Sequence, residues 1–258
     1  MNTDILIPLM HQGSKHDNIE LRFCLRSIEK HLKGYGNIYI IGERPDWIKN
    51  IIYIPFEDSV DNKQRAWNIY RKILASINRE VSIKVDNNGE LSLVAFTELT
   101  DNFLYVNDDH YLLTDYKTGE FPYYHRGTIN LKRFENNHAQ VEQSKNTYKI
   151  FGQKFYDFDV HCPILFNKNL FEIIFNKLKN IDYGYLVKSL YMNHSIDTTY
   201  WILCEDLKFR ERIMMKESIY QALEGHGWFS IGDRALLEGS KMIEVLNELY
   251  PNKSIYEL

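Results

Sequence analysis

Cysteine is scarce in this chain: three in 258 residues, Cys24, Cys162 and Cys204, with no CxxC pair among them. An odd count at wide spacings argues against a disulfide framework and against a zinc knuckle, and points to a reduced, intracellular (cytoplasmic) setting. Long apolar runs are also missing. Charged residues interrupt every apolar stretch well short of the roughly 18 residues that a membrane span needs, and the N-terminus lacks the basic and apolar regions of a secretory leader. There is no basic excess. Lys and Arg number 31 against 35 Asp and Glu, a net charge of −4, which argues against tight non-specific nucleic-acid binding. No GxGxxG follows the first apolar segment, so the dinucleotide fingerprint is absent. Repeats, low-complexity segments and linkers are absent too, which leaves one domain over residues 1–258 as the simplest organisation.

What is present is an ordinary globular balance, 44% hydrophobic and 26% charged, rich in Tyr (18) and Phe (14). Most of those rings are expected in the core and on half-buried strands, some at a ligand cleft. Residues 5–10 are a continuous apolar run ending in a turn at 11–14, the pattern of a buried first strand. Asp17 or Asn18 caps a helix carrying Leu21, Leu25, Ile28 and Leu32 on one face, stopped by Gly34 and Gly36. Strands at 37–42 and 51–55 follow, then a helix opened by Asp61 and Asn62 with Ala66, Ile69, Ile73 and Ile77 inward. A hairpin spans residues 81–94, and 103–106 is another buried strand. Strand, helix, strand, strand, helix is the rhythm of a mostly parallel, Rossmann-like α/β sheet flanked by helices. Past residue 115 the pattern loosens. It predicts a loop region at 116–126, helices at 134–151, 169–178, 183–192 and 235–249, strands at 160–166 and 201–204, and a Gly-containing loop at 225–233.

The strongest chemical signal is Phe103-Leu104-Tyr105-Val106-Asn107-Asp108-Asp109-His110. An apolar strand running into two adjacent carboxylates places them at the carboxyl edge of the sheet, where open α/β folds bind ligands. Two such carboxylates repel unless a cation sits between them. Mn²⁺ or Mg²⁺, a hard cation that prefers oxygen ligands, suits them and can neutralise a diphosphate leaving group. The plainer alternative is a turn that Asp108 and Asp109 cap.

Two stretches then resemble the Stealth sugar-phosphotransferase family. One is Glu20-Leu21-Arg22 with Leu25-Arg26-Ser27-Ile28-Glu29-Lys30, continued by Asn37-Ile38-Tyr39-Ile40-Ile41 and Pro45-Asp46-Trp47-Ile48. The other is Asn102 to Asp109, similar to that family's FIYLNDD segment. His161-Cys162-Pro163 resembles its later His-x-Pro. Small bacteriophage-encoded glycosyltransferases are similar in outline, including segments like residues 228–233 and 251–257. The likeness covers roughly the first 110 residues well and the rest in patches. It implies a GT-A-like fold with an elaborated C-terminal half, a nucleotide-sugar donor bound by residues 1–115, an acceptor side in 116–258, and a metal held by an Asp-x-Asp-like motif. The first strand departs from the family: Ile5-Leu6-Ile7-Pro8 replaces its Val-x-Tyr-Thr type opening. That favours glycosyl transfer over phosphosugar transfer.

The expected site follows. Asp108, Asp109 and His161 hold the metal, His161 alternatively standing near the acceptor. Arg22 and Lys63 contact the phosphates, Lys63 at a helix start; the alternative for both is a solvated surface pairing. Asp206, close to Lys208, is a candidate general base or a capping residue. His226 is a candidate donor contact or metal ligand, forming with Trp228 a mobile lid over the sugar. The reaction expected is metal-dependent transfer of a sugar from a nucleotide-sugar to a hydroxyl on a glycan, a protein or a modified DNA base. Two rivals stand beside it: a Stealth-type sugar-1-phosphate transferase and a non-catalytic carbohydrate-binding protein.

Overall fold

A computed structural model describes residues 2–10, 16–78, 81–95, 98–134, 137–195 and 201–258. The turn expected at 11–14 lies outside them. The central sheet has seven strands: β1 (Thr3–Leu9), β2 (Tyr35–Gly42), β3 (Ile51–Pro55), β4 (Val81–Val85), β5 (Leu91–Ala95), β6 (Asn102–Tyr105) and β7 (Ile164–Asn167). Its order is β7-β6-β1-β2-β3-β4-β5. The β6-β1-β2-β3 centre is parallel, while β7 and the β4–β5 hairpin are antiparallel. This is a mixed, mostly parallel α/β sheet flanked by helices.

The apolar run of β1 exists because both faces of the sheet are covered. Ile5, Ile7 and Leu9 join a core with Leu21, Leu25 and Ile28 of α1 (Ile19–His31). Leu6 points the other way, into a core with Trp67, Tyr70 and Ile73 of α2 (Arg65–Ile77). Three further helices belong to the second half: α3 (His138–Phe151), α4 (Lys168–Phe175) and α5 (Val187–His194). The chain closes with α6 (Lys216–Leu223) and α7 (Met242–Leu249). Among the described residues no helix is long and apolar enough to cross a membrane.

Several local expectations shift. Asp17 and Asn18 both adopt left-handed backbone (φ 53° and 51°), and Asn18 makes no side-chain cap bond to α1. The single closing helix expected at 235–249 is a 3₁₀ turn at Asp233–Leu236 followed by α7. The loop region at 116–126 contains short strands, one of which (Tyr123–His125) pairs with Trp201–Leu203. The loop expected at 225–233 contains a buried strand, Trp228–Ile231, held between His110–Leu112 and Lys208–Phe209. Trp228 is 4% exposed and packs in the core, which overturns its reading as part of a mobile lid.

β1 is the pivot of the sheet. The strand that follows α1 lies on one side of it and β6 on the other, so a switch point opens at their carboxyl ends. Gly42 ends β2 there with φ 114°, and a Cβ on it would stand 2.0 Å from the Leu9 carbonyl oxygen. That oxygen accepts a 2.6 Å bond from Lys72 Nζ. Gly42→Ala is therefore expected to destabilise the fold by at least about 2 kcal/mol through backbone strain and the clash, measurable by urea denaturation.

Candidate active site

At the switch point lies a cleft of about 440 Å³. β6 delivers Asn107, Asp108 and Asp109 to one wall, and α1 delivers Glu20. α2 also lines the cleft, with Arg65, Asn68, Ile69 and Lys72 at helical spacing along one face. His161 and Lys208 line it from the second half of the chain. The small sheet described above brings Lys208 in: His110–Leu112 continues directly from the Asp pair, and Trp228–Ile231 bridges it to Lys208–Phe209.

The two carboxylates are unequal. Asp109 Oδ2 accepts a 2.7 Å bond from Lys208 Nζ. Burial opposes ionisation of Asp109, but Lys208 and then His110 and His161 outweigh it and hold the carboxyl below its usual range. Its other oxygen, Oδ1, is buried and has no hydrogen-bond partner among the described residues. His110 faces it, with Nε2 at 3.8 Å. Because the Asn107 N–H donates to His110 Nδ1 (3.2 Å), the proton of the neutral ring sits on Nε2. Burial keeps that ring neutral, pushing its pKa well below the ordinary value. Among the described residues Asp108 makes no side-chain bond to another residue; burial first, then Asp109 and Glu20, raise its carboxyl to about 7.

Behind the cleft is a buried ionic group. His161 N–H donates to Asp206 Oδ1 (3.0 Å), and His161 Nδ1 lies 2.7 Å from Asp206 Oδ2. Arg126 bonds Asp206, Asp157 (3.3 Å) and the Asp159 carbonyl (2.6 Å). The Arg126, Asp157 and Asp206 side chains are 6%, 3% and 1% exposed. Burial resists charge on Asp206, but His161 and Arg126 overcome it and depress its pKa far below the usual carboxylate range. With both oxygens engaged and no access to the cleft, Asp206 is not placed to take a proton from an acceptor; it positions His161.

Of the expected residues, the structure brings Asp108, Asp109 and His161 to one cleft and puts Asp206 behind it. The other three lie elsewhere. Arg22 stacks 4.0 Å over Trp47 and pairs with Asp17 (3.2 Å) and Glu257 (3.7 Å). Lys63 Nζ pairs with Asp182 at 2.7 Å on the surface. His226 lines a separate pocket with Leu113, Thr114 and Tyr220. Among the described residues no group of three or more His, Cys, Asp or Glu side chains is arranged to hold a metal ion. The sequence reading passed over Arg65, which lines the cleft from the first turn of α2 with no ion pair or hydrogen bond among the described residues. Its signal was helix phase. Arg65 begins the run Arg65, Asn68, Ile69, Lys72, whereas Lys63 precedes the helix in a 3₁₀ turn.

No family model matches the chain, and no curated protein matches it. Three solved structures are similar in outline. The galactosyltransferase LgtC, in complex with donor and acceptor sugar analogs, has 10% identity and a TM-score of 0.43, over 97% of this chain and 96% of that one. The bifunctional glycosyltransferase WbbM has 13% identity and a TM-score of 0.44, over 98% of this chain but 50% of its own. The glycosyltransferase GlyE of Streptococcus pneumoniae TIGR4 has 12% identity and a TM-score of 0.38, over 98% of this chain and 61% of that one. Likeness at this level decides nothing about chemistry.

Proposed function

We propose that this chain is a metal-dependent glycosyltransferase that binds a nucleotide-sugar in the switch-point cleft and moves its sugar to an acceptor hydroxyl. One observation carries the reading: Asp108 and Asp109 line one cleft with Arg65, and among the described residues neither the Asp108 carboxylate, Asp109 Oδ1 nor the Arg65 guanidinium has a side-chain hydrogen-bond partner. Lys208 offsets the charge of Asp109 alone, and a second buried acidic group beside it is poorly placed for stability and well placed for a divalent ion.

The donor set fits such an ion. Asp108 and Asp109 offer hard carboxylate oxygens, and Mg²⁺-like ions commonly take only one or two carboxylates from protein and the rest from substrate phosphates and water. When bound, the cation supplies neutralisation of the diphosphate and of the charge that grows on it as it leaves. The chain's own residues do the rest. Lys208 holds Asp109 ionised. Arg65 is placed for charge-assisted bonds to phosphate oxygens. Lys72, anchored to Asp58 (2.8 Å) and the Leu9 carbonyl, fixes the strand end beneath them. Residues 1–115 are assigned to donor binding and 116–258 to the acceptor side.

Incubation with a panel of nucleotide-sugars and Mn²⁺ tests this: release of a nucleoside diphosphate is expected. Release of a monophosphate would indicate phosphosugar transfer from the same cleft, and no turnover of any donor would contradict the proposal. Arg65→Ala is expected to raise the donor KM about 10–100-fold, the worth of one or two bonds to a charged group, with kcat changed far less. Arg65→Lys should recover only part, because the planar fork is lost.

A further inference from the structure

The ring of His161 is fixed more firmly than a cleft-lining histidine needs for packing. His161 Nδ1 has two neighbours: Asp206 Oδ2 at 2.7 Å, which as a carboxylate can only accept, and Arg126 Nη2 at 3.3 Å, which can only donate; the shorter contact to the carboxylate has Nδ1 donating. That assigns the tautomer and leaves Nε2 with a lone pair. No protein group takes it among the described residues, while the ring borders the cleft and its side chain is 19% exposed. Arg126 holds Asp206 ionised from behind.

The backbone carrying the ring is held as tightly. Lys188 Nζ donates to the carbonyls on either side of it, Val160 (2.8 Å) and Cys162 (2.7 Å). Lys188 is buried, 7% exposed, and makes no ion pair among the described residues. A buried ammonium is costly to desolvate; here its bonds go to the two peptides that set the height and angle of His161. Next to it on α5, Ser189 Oγ accepts the Phe158 N–H (2.9 Å) and donates to Asp159 (2.8 Å). A single helix thus grips segment 158–162 at four points.

We infer that His161 is the general base that accepts the acceptor's hydroxyl proton on Nε2, positioned by Asp206 and Lys188, and that the transfer inverts the anomeric centre. The inference rests on the glycosyl-transfer reading above. In this step the acceptor oxygen bonds to the anomeric carbon from the face opposite the leaving group. The bond from that carbon to the diphosphate oxygen breaks, its electron pair departing with the diphosphate. The proton passes from the acceptor to Nε2. Attack from the face opposite the leaving group in a single displacement inverts the anomeric centre, and one base suffices for it. The same ring with Nδ1 on a carboxylate also suits a metal ligand, and the test separates the two roles.

The first measurement uses the wild-type protein: with an α-linked donor, the product anomer is read by proton NMR. A β product is expected; an α product overturns the inference while leaving glycosyl transfer intact. Absence of any donor turnover takes down both. The second uses His161→Ala. Expected are a kcat loss of about 10²–10⁴-fold, an unchanged donor KM, unchanged Mn²⁺ affinity by electron paramagnetic resonance in the presence of nucleoside diphosphate, and partial rescue by added imidazole. Lost Mn²⁺ affinity without rescue would make His161 a ligand and overturn the assignment. Asp206→Asn, which can present its amide to Nδ1 and shift the ring proton to Nε2, is expected to lower kcat with KM unchanged; a full kcat in this variant would count against the positioning role.

Discussion

Asp108→Asn is expected to lose donor turnover by about 10²–10³-fold or more, the scale of losing one preorganised electrostatic contact at a leaving group, and to be more stable than the wild type in metal-free buffer at pH 8. The two effects share a cause. Burial, Asp109 and Glu20 raise the Asp108 carboxyl to about 7 in the folded protein, against about 3.9 in an unfolded chain. Folding therefore favours the protonated acid. Well below pH 4, at about pH 3, the group is largely neutral in both states. As pH rises towards 7 the unfolded chain releases the proton first, so stability is lost across that window and the penalty is complete above it. The asparagine has no proton to release. Its advantage should be absent at about pH 3 and reach on the order of 2–4 kcal/mol above pH 7, at about 1.4 kcal/mol per unit. Urea denaturation at both pH values in chelator checks this. Adding Mn²⁺ with a nucleoside diphosphate should narrow or reverse the ranking, because only the wild type gains from that ligand. A variant less stable than wild type at pH 8 would mean that Asp108 has a structural partner.

The largest stability loss is expected from Arg126→Met. Its guanidinium is the cation between Asp157 and Asp206, both almost fully buried. Removing one member of such a group leaves buried charge uncompensated, at a cost of roughly 3–5 kcal/mol. The Asp206 carboxyl, held far below its usual range, contributes stability above the unfolded value near 4 that is lost as pH falls. Without Arg126 that contribution shrinks, so the gap between variant and wild type should be wide at pH 7 and narrow in acid. Combining Arg126→Met with Asp206→Asn should recover part of the loss, since the second change removes a charge that the first stranded. Additive losses in the double variant would mean the pair is not coupled.

Much of the sheet was legible in the chain itself. β1, β2, β3 and β6 are apolar runs because each is covered on both faces, and the hairpin at β4–β5 shows in Asn87-Asn88-Gly89 between two alternating segments. The Asp108–Asp109 corner followed from one strand and what comes after it. The rest of the site was less legible, for a physical reason. His161, Asp206, Arg126 and Lys188 come from four separate segments, and only long-range pairing brings them together. Trp228 was misread because its strand is four residues long and preceded by Gly225 and Gly227, which look like loop. Arg22 lies away from the cleft because its place on a helix does not reveal what packs beside it; Trp47 and Glu257 occupy that side. Lys63 and Arg65 differ by two residues, enough to turn one to the surface and the other to the cleft.

The central claim is that the Asp108–Asp109 corner binds a diphosphate through a cation. Calorimetric titration of a nucleoside diphosphate into the protein, with Mn²⁺ and then with chelator, tests it most directly. Binding is expected with Mn²⁺, weak or absent without it, and lost in Asp108→Asn even with the metal present. Equal affinity in chelator, or full affinity in Asp108→Asn, would contradict the account.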